Sequence, residues 1–171
     1  GELGAPIKLQ LFQKAKHQAV FGFVHKDTYL RQYNEVLDIR GRKNGKTTEL
    51  AADEIFMAIG DGEGSPEVYN VATKLEQAQK GFNECYKMIQ QSKALEKHFK
   101  KRKSDLYVKF NYGSIKALAS NTNGLDGLNA HMVTIDELAA IKNRDLYDLM
   151  KQSMSSRRQP LLNCITTNGF V

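Results

Sequence analysis

The sequence predicts an α/β domain: a mostly parallel central sheet with helices on both faces and a β-hairpin insertion. Short apolar runs of strand type alternate with helical stripes along most of the chain, the pattern of strands joined by helical crossovers. A glycine-lysine-hydroxyl turn, Gly45-Lys46-Thr47, stands between an apolar run and a helical stripe, the setting a phosphate-binding loop requires. A second apolar run, Met132-Val133-Thr134-Ile135, ends in Asp136-Glu137, and in parallel α/β sheets ligands sit at the carboxyl ends of strands.

Taken in order, residues 9–20 read as a short helix broken at Phe21-Gly22-Phe23. It lies upstream of the loop, where a base-contacting element often sits. Residues 28–33 and 35–40 read as extended segments. From 47 to 59, Leu50, Ala51, Ile55, Ala58 and Ile59 form a helical stripe. Residues 60–66 are a glycine-rich loop with a proline at its end. A strand at 68–72 leads to a helix over 74–91, with Leu75, Ala78, Phe82 and Ile89 on one face. Residues 97–103, Lys97-His98-Phe99-Lys100-Lys101-Arg102-Lys103, read as a solvated basic connection, with nucleic-acid contact as the alternative. Residues 106–110 and 115–119 form a hairpin about Asn111-Tyr112-Gly113-Ser114. A polar loop at 121–127, the acidic strand, a helix at 145–154 and a last strand at 161–165 follow. No internal repeat appears, so the expectation is one domain spanning 1–171.

Composition bounds the answer. A chain of 171 residues that is 41% apolar can bury a proper core. No apolar run reaches membrane-spanning length. The first residues lack the basic start and apolar core of a signal peptide. Cys85 and Cys164 sit inside apolar patterns and read as buried thiols, with no disulfide framework or zinc site. The net charge of +6 and pI near 9.2 permit contact with a polyanion.

The loop residues carry definite chemistry. Backbone N–H groups of such a turn and the helix dipole together cradle phosphate. Gly45 lets the backbone approach it. Lys46 would sit on the β and γ phosphates, and the Thr47 hydroxyl on Mg²⁺. The pattern G-x-x-x-x-G-K-S/T wants glycine at position 40, where this chain has Arg40, with Gly41 one step late. The plain alternative is a basic turn capping a helix. In the functional reading, the basic cluster from Arg40 to Lys46 is spent on phosphates. Asp136 suits Mg²⁺, through a coordinated water. Glu137 is placed to orient or deprotonate the attacking water. The plain alternative for this pair is a helix N-terminus, where the dipole favours acids. Thr166 and Thr167 end the last strand, either to sense the γ phosphate or as ordinary turn residues before Asn168-Gly169.

Taken together, these motifs resemble the ATPase domain of the large terminase subunit of tailed bacteriophages, and within it the HK97-like type. The residues that carry the resemblance are Leu11-Phe12-Gln13-Lys14, Arg42-Lys43-Asn44-Gly45-Lys46-Thr47, Ala72-Thr73-Lys74 with Gln77-Ala78, Ile135-Asp136-Glu137-Leu138, Arg158-Gln159-Pro160 and Ile165-Thr166-Thr167-Asn168-Gly169. The resemblance runs over nearly the whole chain and makes the arginine-bearing loop a family mark. It implies a RecA-like P-loop NTPase fold of the ASCE type, with a Walker A loop, a Walker B strand and a separate catalytic glutamate.

The same resemblance implies ATP and Mg²⁺ as cofactors. ATP is expected on Gln13, near the adenine, and on Arg42, Lys43, Asn44, Gly45, Lys46, Thr47 and Thr48. Metal falls to Thr47 and Asp136. Catalysis falls to Glu137, Lys46 and Arg42, the last acting on phosphate from within the subunit. Thr166 and Thr167 are expected to couple hydrolysis to movement. An arginine donated by a neighbour completes such sites, with Arg144, Arg157 and Arg158 as candidates. The implied role is ATP-driven translocation of viral double-stranded DNA into procapsids. It implies a homo-oligomeric ring when working, a monomer in isolation, small-subunit and portal contacts, no membrane, and the host cytoplasm. The family's carboxyl-terminal nuclease domain is not expected in this chain. The alternatives are a helicase-like translocase and a non-catalytic DNA-binding module with a vestigial loop.

Overall fold

A computed structural model describes residues 5–41, 44–121, 125–141 and 144–167. Seven strands form one sheet: β1 (Glu35–Arg40), β2 (Glu67–Ala72), β3 (Phe99–Lys101), β4 (Leu106–Val108), β5 (Ser114–Ala119), β6 (Ala130–Ile135) and β7 (Leu161–Thr167). Their spatial order is β1-β7-β6-β2-β5-β4-β3. The first five in that order are parallel, and β4 and β3 append antiparallel. The strand leading into the loop and the strand ending in Asp136 are thus separated by β7, as the RecA-like arrangement with a separate glutamate requires.

Five helices cover the sheet: α1 (Leu11–Gly22), α2 (Lys46–Ile59), α3 (Leu75–Gln90), the single turn α4 (Lys93–Glu96) and α5 (Asp145–Ser153). The two faces are unequally dressed. On one, Ala51, Ile55 and Ala58 of α2 and Cys85 and Ile89 of α3 pack with Val68, Ile115, Met132 and Leu161. On the other, Leu146 and Met150 of α5 pack with Tyr69, Val133, Ile135 and Leu162. Alternation along the strands sorts these two sets, as a sheet covered on both sides demands. Among the described residues this second face is left open along β1, where Leu37 and Ile39 are 60% and 58% exposed.

Several expectations need correction. The basic segment 97–103 is more than a connection, because Phe99 is buried and anchors β3 against β4. The hairpin is real, but its return strand β5 also pairs with β2 and belongs to the parallel sheet. The first helix starts and ends two residues later than its apolar pattern suggested and runs through Gly22. Residues 28–33 make only one bridge, Val24 to Arg31, instead of an extended run. Arg31 is held there by a two-pronged ion pair to Asp61, at 3.0 and 2.7 Å. His131 at the start of β6 contacts the same carboxylate at 2.7 Å. This buried cluster ties the amino-terminal segment to the edge of the sheet remote from the loop.

Candidate active site

All five parallel strands point their carboxyl ends the same way, which brings the loop after β1 and the acids after β6 to one edge. Lys46, Thr47, Asp136 and Glu137 line one cavity there. Gly45 caps α2 in the left-handed region, φ 68°, which glycine adopts without the steric cost a Cβ brings. The Glu49 N–H closes the first helical turn on the Gly45 carbonyl at 3.2 Å.

Asp136 is held on both oxygens. The Gln77 side-chain amide donates to it at 2.7 Å, and the Glu137 backbone N–H at 3.0 Å. Lys80 in turn donates to the Gln77 carbonyl oxygen at 2.7 Å. Gln77 and Lys80, from the start of α3, line the same cavity. Glu137 has a left-handed backbone, φ 55° and ψ 50°, a conformation costing a non-glycine residue about 1 kcal/mol or more. The donor set suits Mg²⁺, which takes few protein oxygens alongside phosphate and water: a hydroxyl from Thr47 and a carboxylate from Asp136.

Below the cavity lies a polar layer that sequence reasoning missed. Asn70, Thr134 and Asn163 stand in register across β2, β6 and β7. Above them sits Glu54 of α2, fully buried. It accepts from the Asn70 amide at 2.8 Å and the Thr134 hydroxyl at 2.9 Å, with the Cys85 thiol at 3.1 Å. Burial pushes the Glu54 carboxyl up, and these donors do not reverse it. The signal was present in the sequence: a polar residue in the middle of each of three apolar strands.

Arg40 corrects a second expectation. It is not spent on phosphate. Its guanidinium is buried and forked between Asp38, at 2.6 and 2.5 Å, and Glu49, at 2.5 and 2.9 Å. Lys16 joins Glu49 at 2.5 Å, and the Gln13 amide donates to it at 2.8 Å. Burial alone would raise the Glu49 carboxyl; Arg40, Lys16 and Gln13 outweigh it and hold it at about 2. His17 faces the Asp53 carboxylate and the Gln13 carbonyl, each at 2.7 Å. Both partners are acceptors, so both ring nitrogens donate and the imidazolium is favoured. Its pKa is raised, chiefly by Asp53. His17, Glu49 and Asp53 are close enough to bracket a cation, but Lys16, Arg40 and the imidazolium already neutralise them.

The other predicted residues fall as follows. Gln13 is buried, and with Phe12, Asn44, Gly45 and Thr48 it lines a second cavity behind the loop. The Thr48 hydroxyl donates to Glu84 of α3 at 3.0 Å. Thr166 and Thr167 end β7 opposite Ile39 and Arg40 of β1. Arg144 is exposed and paired with Asp148 on its own helix at 3.0 Å. Arg157 is enclosed, donating to Glu63 and to the carbonyls of Gly64, Ser65 and Asn129 near the amino ends of β2 and β6. Those contacts withdraw it from the side chains free to reach a neighbour, whereas Arg158 is exposed. Arg42 and Lys43 lie outside the described residues.

Comparison with known proteins bears on the family and the fold. The family model described as "Terminase large subunit, ATPase domain" matches residues 11–171. No curated protein matches in sequence. Among solved structures, the large terminase of bacteriophage HK97 superimposes with a TM-score of 0.80 at 23% identity, over 94% of this chain and 33% of that one. An arginine-to-alanine variant of the Thermus phage P74-26 large terminase ATPase domain gives 0.71 at 15% identity, over 96% and 67%. A large terminase from a thermophilic bacteriophage, solved in complex with ATP-γ-S, gives 0.61 at 10% identity, over 78% and 32%. At these identities the likeness is one of fold. The chain spans about a third of the length of the HK97 protein.

Proposed function

The chain belongs to the family of terminase large subunit ATPase domains, and from that premise we propose that it binds ATP with Mg²⁺ and hydrolyses it to drive double-stranded DNA into a procapsid. The supporting observation is the single cavity shared by Lys46, Thr47, Asp136 and Glu137. A lysine and two carboxylates so distant in sequence meet where a triphosphate would end.

In this reading Lys46 neutralises the β and γ phosphates, and the α2 amino end adds its dipole. Mg²⁺, held between the Thr47 hydroxyl and Asp136, would offset charge on the phosphate oxygens. Glu137 orients the attacking water. Gln13 borders the base from the cavity behind the loop. Arg42 acts on phosphate from within the subunit, and Thr166 and Thr167 transmit the change along β7. A neighbour in a ring supplies a further arginine, for which Arg144 and Arg158 are the exposed candidates. Such a residue can raise turnover about a thousandfold or more, so an isolated monomer is nearly idle. Small-subunit and portal contacts and a site of action in the host cytoplasm complete the proposal. No helix among the described residues is long and apolar enough to cross a membrane.

The test pairs nucleotide-dependent thermal shift with phosphate release from the assembled ring. The wild type should be stabilised by ATP with Mg²⁺. Lys46→Ala should lose that shift, and Glu137→Gln should keep it while losing turnover. A wild type indifferent to ATP, a Lys46→Ala variant with an unchanged shift, or an active Glu137→Gln ring would each reject the assignment.

A further inference from the structure

The net charge of the chain is not spread over its surface. Residues 93–109 hold seven lysine or arginine side chains and two acids, a net of five positive charges out of the chain's six. These residues form α4, β3, β4 and the turns joining them, the outermost part of the sheet beyond β5. Lys93, Lys97, Lys100, Lys101, Lys103 and Lys109 are all exposed. One of the two acids, Asp105, is buried and taken up by Arg102. Lys101 lies over the Tyr86 ring at 4.1 Å and Arg102 over the Tyr107 ring at 4.2 Å.

Lysine on an edge strand is a common defence against pairing with other chains. One or two residues suffice for that. Concentrating nearly all the net charge on one three-residue strand and its flanks does more: it builds a positive field on a single rim. The pocket of Lys46 and Asp136 opens at the carboxyl ends of the parallel strands, so this rim is separate from it. Helix α3 joins the two regions. Its first turns present Gln77 and Lys80 to the cavity, and its last turns carry Tyr86 beneath Lys101.

We propose that the β3–β4 edge grips the phosphate backbone of duplex DNA, without regard to sequence. The proposal rests on the motor reading above for its choice of polyanion. Strand-borne lysines offer point charges without the side-chain forks that read base edges, and phosphate contacts of this kind position DNA while carrying no sequence information.

The experiment measures binding of a fluorescein-labelled 30-base-pair duplex by anisotropy across a KCl series. It compares the wild type, the edge variant Lys97→Glu/Lys100→Glu/Lys103→Glu, and the equally charged control Lys8→Glu/Lys14→Glu/Lys26→Glu. The edge variant should bind at least tenfold more weakly. Its log affinity should fall less steeply with log salt, by about 0.9 for each phosphate it no longer neutralises. The control should stay within about twofold of the wild type. A wild type that binds no duplex at low salt, an edge variant that binds like the wild type, or a control that loses as much would each overturn the proposal. An edge variant that binds DNA normally but fails to bind an acidic protein partner would also overturn it, reassigning the rim. The ATP thermal shift of the edge variant is read in parallel. Its retention with DNA binding lost supports the rim assignment, whereas its absence from the wild type would sink the ATPase reading instead.

Discussion

The Arg40 guanidinium lies between the carboxylates of Asp38 and Glu49, and removing it leaves two buried carboxylates to the single charge of Lys16. The phosphate-loop pattern alone recommends Arg40→Gly as a repair. The structure recommends against it. Breaking a buried ion pair by deleting one partner costs about 3–5 kcal/mol, and this one also fastens α1 to α2 through Lys16 and Gln13. Arg40→Gly should therefore lower the urea midpoint sharply and bring no gain in nucleotide affinity; a variant as stable as the wild type would show the network to be idle. Lys46, Asp136 and Glu137 were legible because each belongs to a short motif whose chemistry is local. The contacts of Arg40, Gln77 and Glu54 were not, because their partners lie 9, 59 and 16 or more residues away and only folding selects them.

Helix α3 shows what an element adds to its residues. Its amphipathic stripe made the helix itself readable, as alternation and apolar runs did for β2, β6 and β7. Segment β3 escaped because three residues, two of them lysines, carry no period; a strand so short exists only through β4. The packing of α3 was equally hidden, and Gly81 decides it. A Cβ at Gly81 would stand 2.3 Å from Oδ1 of Asn70, on the strand directly beneath. Helix propensity favours Gly81→Ala by about 1 kcal/mol. Overpacking a tight contact costs about 1–3 kcal/mol, and here it also pushes Asn70 off Glu54. The contact should win. Gly81→Ala should melt earlier and weaken the ATP-dependent shift, since Gln77 and Lys80 ride on the neighbouring turn. A variant that melts later than the wild type would mean that α3 recedes from Asn70 at no cost.

At the scale of the whole molecule, the ionisable groups drawn into the fold pull the pH dependence of stability in opposite directions. Glu49 and Asp61 are pulled down by cationic partners against the effect of burial, Glu49 to about 2. A carboxylate whose folded pKa is depressed binds fewer protons folded than unfolded, so its stabilisation is present above the ordinary carboxylate range and is lost as the pH falls toward 2. His17 is raised above its ordinary 6.5, first by Asp53. Its contribution is complete below 6.5 and disappears as the pH rises through the folded value. Glu54 is raised by burial above its ordinary 4.5. The folded state keeps a proton that the unfolded chain releases, so stability also declines from 4.5 upward until the folded value is passed. The three signs together place the stability maximum at the top of the ordinary carboxylate range, at about pH 5, with a decline that begins there and steepens above 6.5. Urea midpoints from pH 3 to 9 should trace that dome. His17→Gln should flatten the part of the alkaline limb above pH 6.5, and Glu54→Gln the part that begins near pH 5. Gln at position 54 still accepts from Asn70, and its amide can turn to the Thr134 hydroxyl, so this variant should fold. A midpoint that stays level or climbs from pH 6 to 9 would mean that neither buried group carries its proton into the folded state.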